Sequence, residues 1–169
     1  MLFSSPPLTL QCIPLQLSSN IIQNSPIYAH LFSDSVHLDS TLSQPGHLVF
    51  TLHLQPQHLN SRNVLHGAVS ATLLDFISGP VIASCAAKSE AQVEDVHSAK
   101  RGVSTDMNLQ YLSAVSAKDG EKVLVVGRCK KLGGKLAWVG MEVRSTSSQA
   151  TDLEKSKLCV EGSHTKYVG

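Results

Sequence analysis

One carboxylate, Asp75, sits in the run Val69-Ser-Ala-Thr-Leu-Leu-Asp-Phe-Ile77, with apolar residues on both sides. A charge in so apolar a stretch must be paired, solvated by a cleft or used for chemistry. In the last case it is a base that activates water, or a nucleophile that attacks directly. Nine positions earlier stand His66 and Gly67, where the apolar run begins. The first amides of a helix have no partners inside it, and that end carries partial positive charge. Such an end polarises a carbonyl and holds a developing oxyanion. Both features also have plain structural readings, as a carboxylate paired inside a core and as an ordinary turn.

Spacing adds a constraint. Nine helical residues span roughly 13 Å, so one carbonyl cannot touch both His66-Gly67 and Asp75 of the same chain. If both act in one reaction, His66-Gly67 of one subunit faces Asp75 of another. The expected assembly is a homodimer with two shared sites, and a pairing of two such dimers into a homotetramer.

These residues need elements to hold them. Residues 47–54 alternate, with Leu48, Phe50, Leu52 and Leu54 on one face, which predicts a half-buried strand closed by Pro56. Residues 67–87 are apolar on nearly every side, as in a buried central helix. Gly79-Pro80 is expected to kink or split that helix just after Asp75. Residues 88–101 are polar and mixed in charge, which predicts a long loop. Val103, Thr105, Met107, Leu109 and Tyr111 then alternate with polar residues, and further strands are expected at 122–130, 135–144 and 157–167. Lys131-Leu-Gly-Gly-Lys135 is a tight hairpin signal. Short loops join only antiparallel neighbours, so the expected class is α+β, one long helix wrapped by a curved antiparallel sheet. Residues 2–33 contain no Asp, Glu, Lys or Arg. They read as an extension outside the core, partly docked at most, ahead of one domain at 34–169.

The set Asn60…His66-Gly67…Asp75, followed by Gly102-Val-Ser-Thr-Asp-Met-Asn108, Tyr111-Leu-Ser113 and His164-Thr-Lys-Tyr-Val-Gly169, resembles the signature of hotdog-fold acyl-CoA thioesterases of the PaaI type. The resemblance runs from about residue 47 to the end. It implies the hotdog fold and hydrolysis of acyl-CoA thioesters to a free acid and CoA, with no metal or other cofactor. By resemblance, Asp75 activates the attacking water or attacks itself, and the Gly67 N–H polarises the carbonyl. Asn60 and His66 position groups around it, and Ser104 orients water or substrate beside Asp75. CoA contacts carry over to Tyr111, Ser113, Lys118, Lys131, Lys135, Leu136 and Tyr167. The lysines around Gly133-Gly134 suit a nucleotide phosphate as point charges. The chain departs from the pattern in three ways. Ala68 replaces the usual second glycine, Gly79-Pro80 lies outside the pattern, and the 88–101 and 113–118 segments run longer than in mammalian members.

Two rivals share the fold: a dehydratase or isomerase on acyl thioesters, and a non-catalytic acyl-CoA-binding protein. A dehydratase needs a His and an acid together, whereas Asp75 with Ser104 suits hydrolysis. The intact Asn60, His66, Asp75 and Ser104 set argues for catalysis.

Bulk properties fit this reading. The 169 residues fill one domain with a real core. A net charge of +1 gives no pull toward nucleic acid or a membrane surface. No apolar run reaches the roughly 18 residues of a membrane span. Cys12, Cys85, Cys129 and Cys159 form no Cys-x-x-Cys pair, which argues for single thiols in a reducing compartment. The apolar N-terminus lacks a basic leader and any Arg. The cytoplasm is the expected compartment, with the mitochondrion as the alternative.

Overall fold

Helix α3, Gly67–Ala86, forms the axis of the molecule. The computed structural model describes residues 12–87, 99–117, 122–146 and 153–169. Ahead of α3 come α1 (Cys12–Asn24), α2 (Pro26–Phe32), β1 (Val36–Leu38), β2 (His47–His53) and a short 3-10 turn, Pro56–His58. After it come β3 (Val103–Tyr111), β4 (Lys122–Gly133), β5 (Leu136–Thr146) and β6 (Lys157–Tyr167). The six strands form one antiparallel sheet in the order β1-β2-β4-β5-β6-β3.

The sheet wraps the helix because both are apolar where they meet. Leu73, Leu74, Ile77, Val81 and Ile82 of α3 are fully buried. They share a cluster with Leu48, Phe50 and Leu52 of β2, Val123 and Val125 of β4, and Val139, Met141 and Val143 of β5. Each such side chain gives about 1.5–3 kcal/mol on leaving water. Gly127 of β4 lets the helix approach closely, since a methyl group there would lie 2.5 Å from Val81 Cγ2. The predicted hairpin is present, with Gly133 paired to Leu136 and Gly134 at φ 58° in the turn.

Two expectations need correction. The helix does not split at Gly79-Pro80; it runs unbroken through Pro80. Ser78, Gly79 and Pro80 are all buried, so packing on both sides offsets the proline's cost of about 3 kcal/mol. Second, the described part of the 1–33 extension is not outside the core. Leu17 of α1 and Phe32 of α2 are fully buried, because an uncharged segment costs little to cover. By length and composition alone α3 is long and apolar enough to cross a membrane, yet most of it is buried in the protein, as in a core helix. The strand expected from the alternation at 103–111 forms as β3. It pairs only with β6, and Val103, Met107 and Tyr111 are 72%, 39% and 55% exposed. The expected 88–101 loop lies outside the described residues between 88 and 98.

Candidate active site

Asp75 projects from the middle of α3 into a small polar cluster, with its side chain 35% exposed. Its Oδ2 accepts a 2.7 Å hydrogen bond from the Tyr28 hydroxyl of α2. Its Oδ1 accepts from Ser104 Oγ of β3 at 3.3 Å. Lys166 Nζ stands 3.5 Å from the same oxygen, and His164 Nε2 stands 3.8 Å away. The β-ladder explains the last three. Residue 104 lies opposite 166, and 107 opposite 164, so β3 and β6 deliver them together.

Burial pushes the Asp75 carboxyl up, but the Tyr28 hydrogen bond, the Lys166 and His164 charges and the Ser104 hydroxyl outweigh it. The carboxyl is held below its ordinary value and is ionised at neutral pH. Burial, the Asp75 hydrogen bond and the Asp75 charge all push the Tyr28 phenol up, so it remains a donor. Burial lowers Lys166 more than Asp75 raises it. Burial and Lys166 lower His164, which leaves its ring neutral at pH 7. That ring is 1% exposed, and neither nitrogen has a hydrogen-bond partner among the described residues.

A cavity of about 390 Å³ opens on this cluster. Asp75, Ser104 and His164 line it with Ile27 and Tyr28 of α2, Ala71 and Thr72 of α3, and Met107. Other hollows lie on the outer sheet face, beside Arg128 and Glu142, and between α1 and β1. Neither holds Asp75 or His66.

The remaining candidates gather at the N-terminal end of α3. His66 caps the helix, its Nδ1 accepting from the Ala68 amide at 3.1 Å. In the neutral ring that puts the proton on Nε2, a free-standing donor. Gly67 holds the first helical position, where an amide has no intrahelical acceptor. Asn60 Oδ1 accepts from the amides of Arg62 at 2.9 Å and Val64 at 3.3 Å, so it shapes the loop leading to His66.

The expected CoA set divides as well. Tyr111 lies beside Gly67, its hydroxyl donating to the Gly67 carbonyl at 2.9 Å. Ser113 follows, its amide bonded to the Cys159 carbonyl. Lys131, Lys135, Leu136 and Tyr167 gather at the opposite end of the sheet. There Leu136 pairs with Tyr167, and Lys131 Nζ lies 5.2 Å over the Trp138 ring. Lys118 lies outside the described residues.

One chain therefore brings Asp75 and Ser104 together but keeps them apart from Asn60, His66 and Gly67. Tyr28, His164 and Lys166 were missing from the candidate residues. The signals for Lys166 and His164 lay in the β3–β6 register. That for Tyr28 was Ser25-Pro26, a helix start in the segment read as an extension.

A family model described as the thioesterase superfamily matches residues 62–151. Human acyl-coenzyme A thioesterase 13 is 32% identical over 125 residues, 74% of this chain and 75% of that protein. The chain belongs to the thioesterase superfamily. The crystal structure of zebrafish thioesterase superfamily member 2 matches at TM-score 0.69 and 30% identity, covering 96% of this chain and 99% of that one. The E. coli PaaI protein, at 16% identity, shares the fold alone, with TM-score 0.64 over 95% of this chain and 97% of its own. The sheet-wrapped helix is thus the hotdog arrangement of this superfamily, as the motif implied.

Proposed function

We propose that the protein hydrolyses acyl-CoA thioesters to a free acid and CoA. The observation that carries this reading is Asp75, an ionised carboxylate on the wall of a cavity, with Ser104 beside it. Water held between Asp75 and Ser104 attacks the thioester carbonyl carbon. The carbonyl π electrons move to oxygen, where the Gly67 N–H stabilises the charge, and Asp75 takes the water proton. Collapse of the tetrahedral intermediate breaks the C–S bond. The CoA thiolate leaves and is protonated by the proton that Asp75 held. No metal or cofactor is needed, because a thiolate is already a good leaving group.

The assembly we propose follows from the split site. Ser104 and Tyr111 of one β3 lie roughly 23 Å apart along the strand. Antiparallel pairing of two β3 edges about a two-fold axis near Met107 brings the Tyr111–Gly67 end of one subunit to the Asp75–Ser104 end of the other. It also covers the exposed Val103, Met107 and Tyr111, the kind of edge that proteins rarely leave open. Tyr111 and Ser113 of one chain then meet the Lys131–Lys135 turn and Tyr167 of the other, where CoA binds. Two such dimers make the tetramer. We place the protein in the cytoplasm on the spacing of its four cysteines in the sequence, which includes no Cys-x-x-Cys pair.

A second reading has one observation in its favour. His164, neutral and 3.8 Å from Asp75, supplies the His-and-acid pair that a dehydratase uses. A thiol-release assay over a panel of acyl-CoAs separates the two. Hydrolysis frees CoA thiol and Asp75→Ala nearly abolishes it. Loss of enoyl-CoA absorbance without thiol release would select the dehydratase instead.

A further inference from the structure

Tyr28 belongs to a segment that carries none of the motif, yet it makes the shortest hydrogen bond to Asp75. Its place is fixed from several sides. Its ring stacks on Phe32 at 6.2 Å and meets Phe76 edge-on at 5.4 Å. Pro26 starts its helix with φ already set. Near the end of that helix, the buried His58 donates from Nε2 to the Leu31 carbonyl at 2.6 Å, and His58 Nδ1 accepts from the Gln55 amide at 3.0 Å. The α2 helix is thus clamped to the loop before α3, with the phenol aimed at one carboxylate oxygen.

The consequence for Asp75 is geometric. A carboxylate with both oxygens free rotates about its terminal bond. Here Oδ2 is held by the phenol, while Oδ1 faces Ser104, with Lys166 Nζ at 3.5 Å and His164 Nε2 at 3.8 Å, on the cavity that Asp75, Ser104 and His164 line. We infer that Tyr28 is a positioning residue for the hydrolytic reaction, holding Asp75 Oδ2 so that Oδ1 alone meets the attacking water. The inference rests on the assignment of Asp75 as the base. It makes α2 a working wall of the site, alongside its Ile27 in the same cavity.

Tyr28→Phe removes the hydroxyl and keeps the stacked ring. Decanoyl-CoA hydrolysis should then fall about tenfold or more in kcat, as expected for losing a hydrogen bond to a charged group, with KM little changed. The phenol stabilises the ionised carboxylate, so its loss should move the acid limb of kcat to higher pH. A ¹³C-carboxyl NMR titration of Asp75 should move the same way without any substrate. A merely structural Tyr28 would lower Tm and move neither. Site-specific 3-fluorotyrosine at position 28 keeps the shape and donates more strongly, so the limb and the titration should move to lower pH. That variant keeps the test open if the phenylalanine chain fails to fold. Unchanged kcat and an unchanged Asp75 titration in either folded variant would overturn the inference. Asp75→Asn in parallel separates the two levels. Full turnover there sinks the base assignment and the inference together. Lost turnover there, with Tyr28→Phe unchanged, sinks the inference alone.

Discussion

Asp75 is a charge that the surrounding residues keep rather than neutralise. Burial opposes ionisation, and four donors and cations reverse that opposition. The sequence revealed the carboxylate and Ser104 because both sit in recognisable motifs. It hid Tyr28 because Ser25-Pro26 marks a helix start but gives no reason to link a lone tyrosine in an uncharged segment with Asp75. His58 is legible only afterwards, for the same reason. Burial lowers its pKa, although its bond to the Leu31 carbonyl opposes the shift. The sign is therefore definite. Above the ordinary value of 6.5 the ring is neutral in both states and its contribution is complete. Below it the unfolded chain takes up a proton first, so stability drains away as pH falls toward the folded value. Tm should fall between pH 7.5 and 5.5, and His58→Gln should lower Tm at pH 7.5 while flattening that slope. A wild-type slope in the variant would remove His58 from this account.

At the level of elements, the pairing of α3 with β4 was readable and its tightness was not. Alternation in 47–54 and the all-apolar run in 67–87 predict a strand and a buried helix. Neither says how near they come. Gly127 decides that, by leaving space where a side chain would strike Val81. Gly127→Val should cost about 1–3 kcal/mol through overpacking, seen as a lower urea midpoint. An unchanged midpoint would mean the helix can lift without loss. Pro80 misled the sequence reading because a breaker's local cost was weighed without the burial that offsets it. The β3 strand forms where the alternation predicts it, but among the described residues only Leu109 of its apolar positions packs on the core, and Val103, Met107 and Tyr111 stay exposed.

For the molecule as a whole, the proposal of sites shared between two copies rests on the separation of His66 and Gly67, at the start of α3, from Asp75 in its middle. Subunit mixing tests this directly. Gly67→Pro removes the amide at a helix position where proline is tolerated, so the fold should survive. Co-assembled with Asp75→Ala subunits, it should recover about a quarter of wild-type activity on random mixing and about half if every dimer is mixed, since one of two shared sites regains both groups. Folded, co-assembling mutants with no recovery would refute shared sites. The family's matched span, residues 62–151, contains Asp75 and Ser104 but neither Tyr28 nor His164 nor Lys166. Most of the groups that set the acidity of the carboxylate thus lie outside the stretch that the family model matches. Two descendants could share every residue of that stretch and still diverge in the pH range where they work, through a single change at position 28.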